Sequence, residues 1–223
     1  VGSAAPRRAR RSPRALPSSR AAPILSVMDD APEATAAPEI DLTGQLLIAM
    51  PGMGDPRFDR SVVFLCAHSA EGAMGLVVNH PVADLSFDEL LSQLDIAPTA
   101  SVVGVPVLMG GPVEHGRGFV LHSAEYTESE ATLQVGADFG MTATLDILED
   151  IAQGRGPTRT LMALGYAGWG PGQLEGEIAR NAWLTAQASS EIVFDTAPGD
   201  KWARALSTLG IDPLTLSAAA GRA

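Results

Sequence analysis

"RTLMALGYAGWGPGQLEGEIARNAWL", Arg159 to Leu184, decides between two fold classes. It opens as a buried strand, "RTLMALGY" (159–166), passes glycines at 165, 168, 170 and 172, and enters a helix expected from about Gly172 to Trp183. A glycine loop between a strand and a helix is the phosphate-binding element of doubly wound α/β folds. The residues here refuse that chemistry. A P-loop needs Lys and then Ser or Thr after its last glycine, and here Gln173 and Leu174 follow Gly172. A dinucleotide loop counted from Gly170 and Gly172 wants its third glycine where Glu175 stands, and Gly176 comes one residue late. Asp195 does lie at a suitable remove beyond Gly176, but Trp169 and Pro171 crowd the loop. Glu175 and Glu177 also put negative charge in the first turns of the helix, where it complements the dipole and repels phosphate. The glycines therefore read as a tight turn lying close on the sheet, with the Trp169 ring over it.

The flanking sequence gives the rest of the class. "GQLLIAM" (44–50) is a strand, "PGMGDPRFDRS" (51–61) a loop, and "VVFLCAH" (62–68) with "GLVVNH" (75–80) a hairpin. Ser86 and Glu89 form a capping box for a helix over about Phe87–Leu94, with Leu85 and Leu90 as its staple. "VPVLMGG" (105–111) and "GFVLHS" (118–123) are strands around the turn "PVEHGR", and "ATLQVG" (131–136) is another. "TATLDILEDIAQG" is a helix with Leu145, Leu148, Ile151 and Ala152 on one face and Gly154 at its end. "EIVF" (191–194) is a short strand and "DKWARALSTLG" (200–210) the last helix. The order is βββ-α-βββ-α-β-α-β-α, which predicts α+β: a mostly antiparallel, curved sheet with about four helices packed on it.

Composition bounds the function. Apolar residues at 46% and charged residues at 18% are ordinary for a globular protein. Arg7, Arg8, Arg10, Arg11, Arg14 and Arg20, with no acid before Asp29, leave the rest of the chain at −17 within a total of −11. So acidic a body repels nucleic-acid backbones. The low-hydrophobicity residues 1–40 are expected to be disordered, with Met28 as the natural start, and residues 41–223 to form one domain. A single cysteine, no secretory core and no long apolar run predict a cytoplasmic protein.

Few residues carry chemistry. Cys66 and His68, two apart on a strand, are expected to share a face, as a nucleophile pair or two metal ligands would; the remaining histidines give no ligand spacing, and a lone strand cysteine reads first as a small core residue. Arg117, in the glycine turn before the "GFVLHS" strand, has the geometry to bind a carboxylate or phosphate, or to pair with an internal acid. Asn79 reads as a turn former at a strand end.

Taken in order, "LLIAMPGMGDPRFDRSVVFLCAHSAEGAMGLVVNHP", "GGPVEHGRGFVLHS", "ALGYAGWGPGQLEGEIARNAWL" and "DKWARALSTLGID" resemble the YqgE/AlgH family of bacterial proteins. The resemblance implies a single α+β domain whose sheet forms a flattened pseudo-barrel. It implies no reaction, no cofactor or metal and no catalytic residue, although the AlgH name is attached to transcriptional regulation. The reading adopted is a non-enzymatic binding protein of regulatory type, with an unidentified small molecule or protein as partner. Its site is expected where the "GGP…RG" turn meets the "GYAGWGPGQ" loop, built from Arg117, Trp169, Gln173, Asn181, Asn79 and His122. The alternatives are a DNA-binding regulator, opposed by the acidic charge, and a hydrolase using Cys66 or His122.

Overall fold

The computed structural model describes residues 41–98, 104–127 and 131–216. The expectations for residues 1–40, Met28 included, lie outside them. Among the described residues nine strands form one sheet, and all the pairings but one are antiparallel. They are β1 (Gln45–Ala49), β2 (Val62–Ser69), β3 (Gly72–Val77), β4 (Val107–Met109), β5 (Val113–Ser123), β6 (Thr132–Val135), β7 (Phe139–Thr142), β8 (Thr160–Trp169) and β9 (Trp183–Gln187). The order across the sheet is β6-β7-β5-β8-β3-β2-β1-β9. The short β4 runs parallel to β8, opposite residues 162–164, and β3 pairs with residues 167–169, while β5 pairs with β8 along its length.

The sheet curls into a half-barrel, and its packing shows the curl. Phe64 of β2 and Phe139 of β7 are four strands apart in the order, yet their ring centroids lie 4.7 Å apart. Only a sheet folded toward that face brings them together. Leu46, Ile48, Phe64, Leu76, Phe119, Leu121 and Leu161 line this inner face. It is closed by α4 (Pro198–Thr208), which buries Trp202, Ala205 and Leu206 there. The outer face carries α3 (Gln173–Ala179) over β1, β2 and β9, and α1 (Phe87–Gln93) with α2 (Asp146–Ala152) over β5 and β8. Helices on both faces of a mostly antiparallel sheet give the predicted α+β class.

Local chemistry explains the element ends. Ser86 Oγ accepts from Glu89 N, and the Glu89 carboxylate accepts from Ser86 N at 2.7 Å, so the capping box forms as read. Gly154 and Gly210 take φ of 74° and 71° just beyond α2 and α4.

Several expectations are corrected. The "PVEHGR" turn is strand: β5 already starts at Val113, with an irregular register between Val113 and Gly118. "FGMT" is the unexpected β7. The third helix stops at Ala179, because Asn181 turns the chain at φ 57° and Trp183 starts β9. "EIVFD" is a π-helical turn that buries Ile192 and Val193, not a strand. On α2, Leu145 is exposed and Ile147 is buried in its place.

Candidate functional site

The glycines of the opening stretch serve a backbone crossing. At Gly165, φ is +72°, and a Cβ there would lie 2.7 Å from Val113 O and 2.8 Å from Gly111 O. A Cβ on Gly111 would lie 2.1 Å from the carbonyl carbon of Tyr166. Two chains thus pass in direct backbone contact, and glycine alone fits. The left-handed residue also shifts the alternation of β8. Leu161 and Ala163 face inward before it and Tyr166 after it, so Ala167 and Trp169 turn to the outer core beneath α3. Trp169 is 7% exposed and belongs to that core, where it does more than cover a loop.

Glu177 organises this end of the molecule. Its Oε2 accepts from Trp169 Nε1 at 2.9 Å and from Trp183 Nε1 at 2.8 Å, and its Oε1 accepts from Gln173 Nε2 at 3.0 Å. Gln173 Oε1 in turn accepts from Gly170 N at 3.1 Å. Partial burial pushes the Glu177 pKa upward. Hydrogen bonds from Trp183, Gln173 and Trp169, with the charge of Arg180, outweigh it and hold the carboxyl below its ordinary value. The two indoles pack edge to face at 5.9 Å, and Phe58 meets Trp183 at 5.4 Å.

Above this aromatic floor lies a cleft of ≈ 540 Å³. The β1–β9 pairing sets its walls, because Met50 N donates to Ala182 O and so draws the loop after β1 against the end of α3. Pro51, Met53, Asp55, Arg57 and Phe58 form one wall, Trp169, Gln173, Glu177, Arg180 and Asn181 the other, and Pro112 and Val113 one end. Arg57 is committed: Nε and Nη2 grip Asp55, with Nη2 at 2.7 Å from Oδ2. Arg180 differs. Among the described residues no carboxylate lies within 4 Å of its guanidinium, and the Asn181 carboxamide beside it makes no hydrogen bond.

Three of the six expected site residues, Trp169, Gln173 and Asn181, meet in this cleft, and the GGP segment reaches it through Pro112. Arg117 does not line it. It pairs with Glu114 at 3.4 Å on the surface, lies 5.0 Å over the Phe119 ring, and borders a separate depression with Met74 and Tyr166. Asn79 is buried and bonded through both carboxamide atoms: its Oδ1 accepts from Val62 N and its Nδ2 donates to Arg60 O, each at 2.8 Å. His122 is wholly buried; Nδ1 donates to Ser123 O at 2.9 Å and Nε2 accepts from Thr142 Oγ1 at 3.0 Å. Burial pushes its pKa down, so the ring stays neutral, and it has no surface through which to reach a substrate. Arg180 carries no signal in the sequence, and Arg57, in "DPRFDRS" (55–61), reads there only as solvated loop charge. Only the pairing of β1 with β9 puts their loops together, and no local pattern signals that.

The Cys66–His68 pairing fails on geometry. A bulge at Cys66, between the pairs Leu65↔Gly75 and Ala67↔Met74, shifts the alternation of β2. Cys66 therefore joins Val62 and Phe64 inside, while His68 turns outward to Glu175 Oε1 at 2.8 Å. Burial pushes the Cys66 thiol up to about 12, far from a usable thiolate. Among the described residues no three His, Cys, Asp or Glu side chains form a metal-binding group, and no helix is long and apolar enough to cross a membrane.

A curved, mostly antiparallel half-barrel with helices on both faces makes this an α+β protein of half-barrel type. The chain belongs to the AlgH-like family, whose profile matches residues 46–214. A UPF0301 protein of Cereibacter sphaeroides is 60% identical over 184 residues, covering 82% of this chain and all of that one. A UPF0301 protein of Rhodospirillum rubrum is 56% identical over 82% of this chain and 94% of its own. The AlgH protein from Pseudomonas aeruginosa, solved in solution, matches with a TM-score of 0.67 and 41% identity over 81% of this chain and 94% of that one. A crystal structure from Corynebacterium diphtheriae shares the fold at a TM-score of 0.61 and 19% identity, over 78% of this chain and 89% of that one.

Proposed function

We propose that the protein works by binding, as a ligand-responsive regulatory protein, and that the cleft between the loop after β1 and α3 is its site. One observation carries this reading: Arg180 and Asn181 present unengaged hydrogen-bonding side chains to a walled cleft whose other polar side chains each already bond within the protein. Asp55 is held by Arg57, and Glu177 by two indoles and Gln173, so neither carboxylate is placed as a general base. A rigid floor with a small number of free polar groups suits recognition.

Native mass spectrometry of the purified full chain, beside Arg180→Glu, tests the proposal. The expected result is a retained or added small molecule or peptide whose mass increment disappears in the variant. A ligand retained equally by both proteins, or amide shifts that map a ligand to residues away from the cleft, would overturn it.

A further inference from the structure

A second cavity, of ≈ 320 Å³, adjoins the cleft and shares Arg57, Phe58 and Pro112 with it. Its character is different. Beyond the shared residues it is lined by Val77, Met109 and the imidazoles of His80 and His115. Burial holds the His80 pKa below its ordinary value against the opposing effect of Asp59, which keeps that ring neutral at physiological pH. Met109 in the second cavity and Val113 in the first are the exposed apolar side chains of this region, at 37% and 36%. The two cavities therefore make one groove with a cationic end at Arg180 and an apolar end at Met109.

We infer that this groove takes a monocarboxylate joined to an apolar body, with the carboxylate on Arg180 and Asn181 and the body running past Phe58 and Pro112 toward Met109. The inference rests on the cleft being the binding site and adds the class of ligand. Charge argues for a single negative charge. The polar end holds Asp55 and Glu177 besides its arginines, so a dianion such as a phosphate monoester meets two carboxylates, whereas one carboxylate is matched by the planar fork of one guanidinium. The polar end and the apolar end lie either side of Phe58, so a ligand that satisfies only one of them leaves half the groove in water. The same chemistry occurs in a free fatty or aryl-alkyl acid and in the terminal carboxylate of a peptide ending in an apolar residue.

Isothermal titration of the full chain with octanoate, octanamide, octyl phosphate, N-acetyl-Ala-Leu and its C-terminal amide tests both sources, with amide-resonance mapping of each. Arg180→Gln and Met109→Asp probe the two ends, and Arg117→Gln, outside the groove, serves as control. Octanoate or the free-acid peptide is expected to bind at least tenfold more tightly than its amide and than octyl phosphate. Arg180→Gln should abolish that acid–amide difference, Met109→Asp should weaken both acid and amide by fivefold or more, and Arg117→Gln should change neither. Whichever acid binds identifies the source. Equal binding of acid and amide within the cleft would overturn the carboxylate and leave the cleft as a site. Tighter binding of octyl phosphate would overturn the single charge. If no acid binds at millimolar concentration the ligand class falls, and shifts mapping only outside the cleft would remove the site as well. Arg180 is exposed, so its glutamine variant is expected to keep the wild-type circular dichroism spectrum and melting point.

Discussion

Lys201 is the chain's single lysine, and it is 2% exposed in the core. Its Nζ donates to Val78 O at 2.8 Å and Val193 O at 2.6 Å, tying the end of β3 to the π-helical turn. Burial pushes the ammonium down from 10.5 to about 8. The native state thus releases its proton before the unfolded chain does, and the stability term rises with pH between those two values. Compared with Lys201→Met, wild type is expected to gain on the order of 2 kcal/mol between pH 7 and pH 10, measured by urea unfolding at both. The buried Cys66 thiol opposes this in both proteins alike and cancels in the comparison. Glu177 acts with the same sign but in the acid range. Its lowered pKa adds stability that is present above the ordinary carboxylate value of 4.5 and is lost as pH falls through the native one. Glu177→Gln would turn an amide NH₂ toward Gln173 Nε2 or toward the two indoles, leaving donor against donor. It is expected to cost about 1–3 kcal/mol at pH 7 and to flatten the acid arm of the stability profile, followed by tryptophan fluorescence.

At the level of elements, what was legible was what is local. The Ser86–Glu89 box lies within four residues and formed as read. β9 was hidden because Trp183 and Leu184 prolong the apolar rhythm of α3, and the break falls at Asn181, a left-handed residue that is not glycine. "EIVF" has strand-forming residues, but the turn satisfies their burial by sending Ile192 and Val193 into the inner core. The two register shifts, at Cys66 and where the start of β5 passes Gly165, have no pattern in sequence because each is fixed by a partner strand. The glycine crossing gives a sharp contrast between elements. Gly111→Ala is expected to cost more than about 3 kcal/mol, since its Cβ meets backbone that has no room to move. Gly199→Ala, within α4 and with nothing inside 4 Å, is expected to be neutral or to stabilise by up to about 1 kcal/mol. Thermal melts of the two variants separate the cases.

Across the whole molecule, charge separates the function classes. Residues 28–223 carry −17, a net charge that works against binding a nucleic-acid backbone. The chain from Met28 is expected to leave duplex DNA unretarded in gel shifts even at low ionic strength. Salt-sensitive retardation would restore the DNA-binding alternative. The candidate site was legible by half. Trp169, Gln173 and Asn181 lie on one continuous stretch and were read from it, whereas Arg57 and Arg180 sit more than a hundred residues apart and meet only through β1 and β9.

That closure bears on how the chain reaches its fold. Leu47 of β1 pairs with Thr185 of β9, and β8 is bonded to β3, β4 and β5, all made before it. During synthesis the first seven strands leave the ribosome with open edges, and no order of local events completes the sheet until the segment around Trp169 is delivered. Such distant pairings make for slow folding and a long aggregation-prone interval. A nascent chain halted before β8 should therefore be a client for chaperones, and one released after α4 a self-sufficient fold.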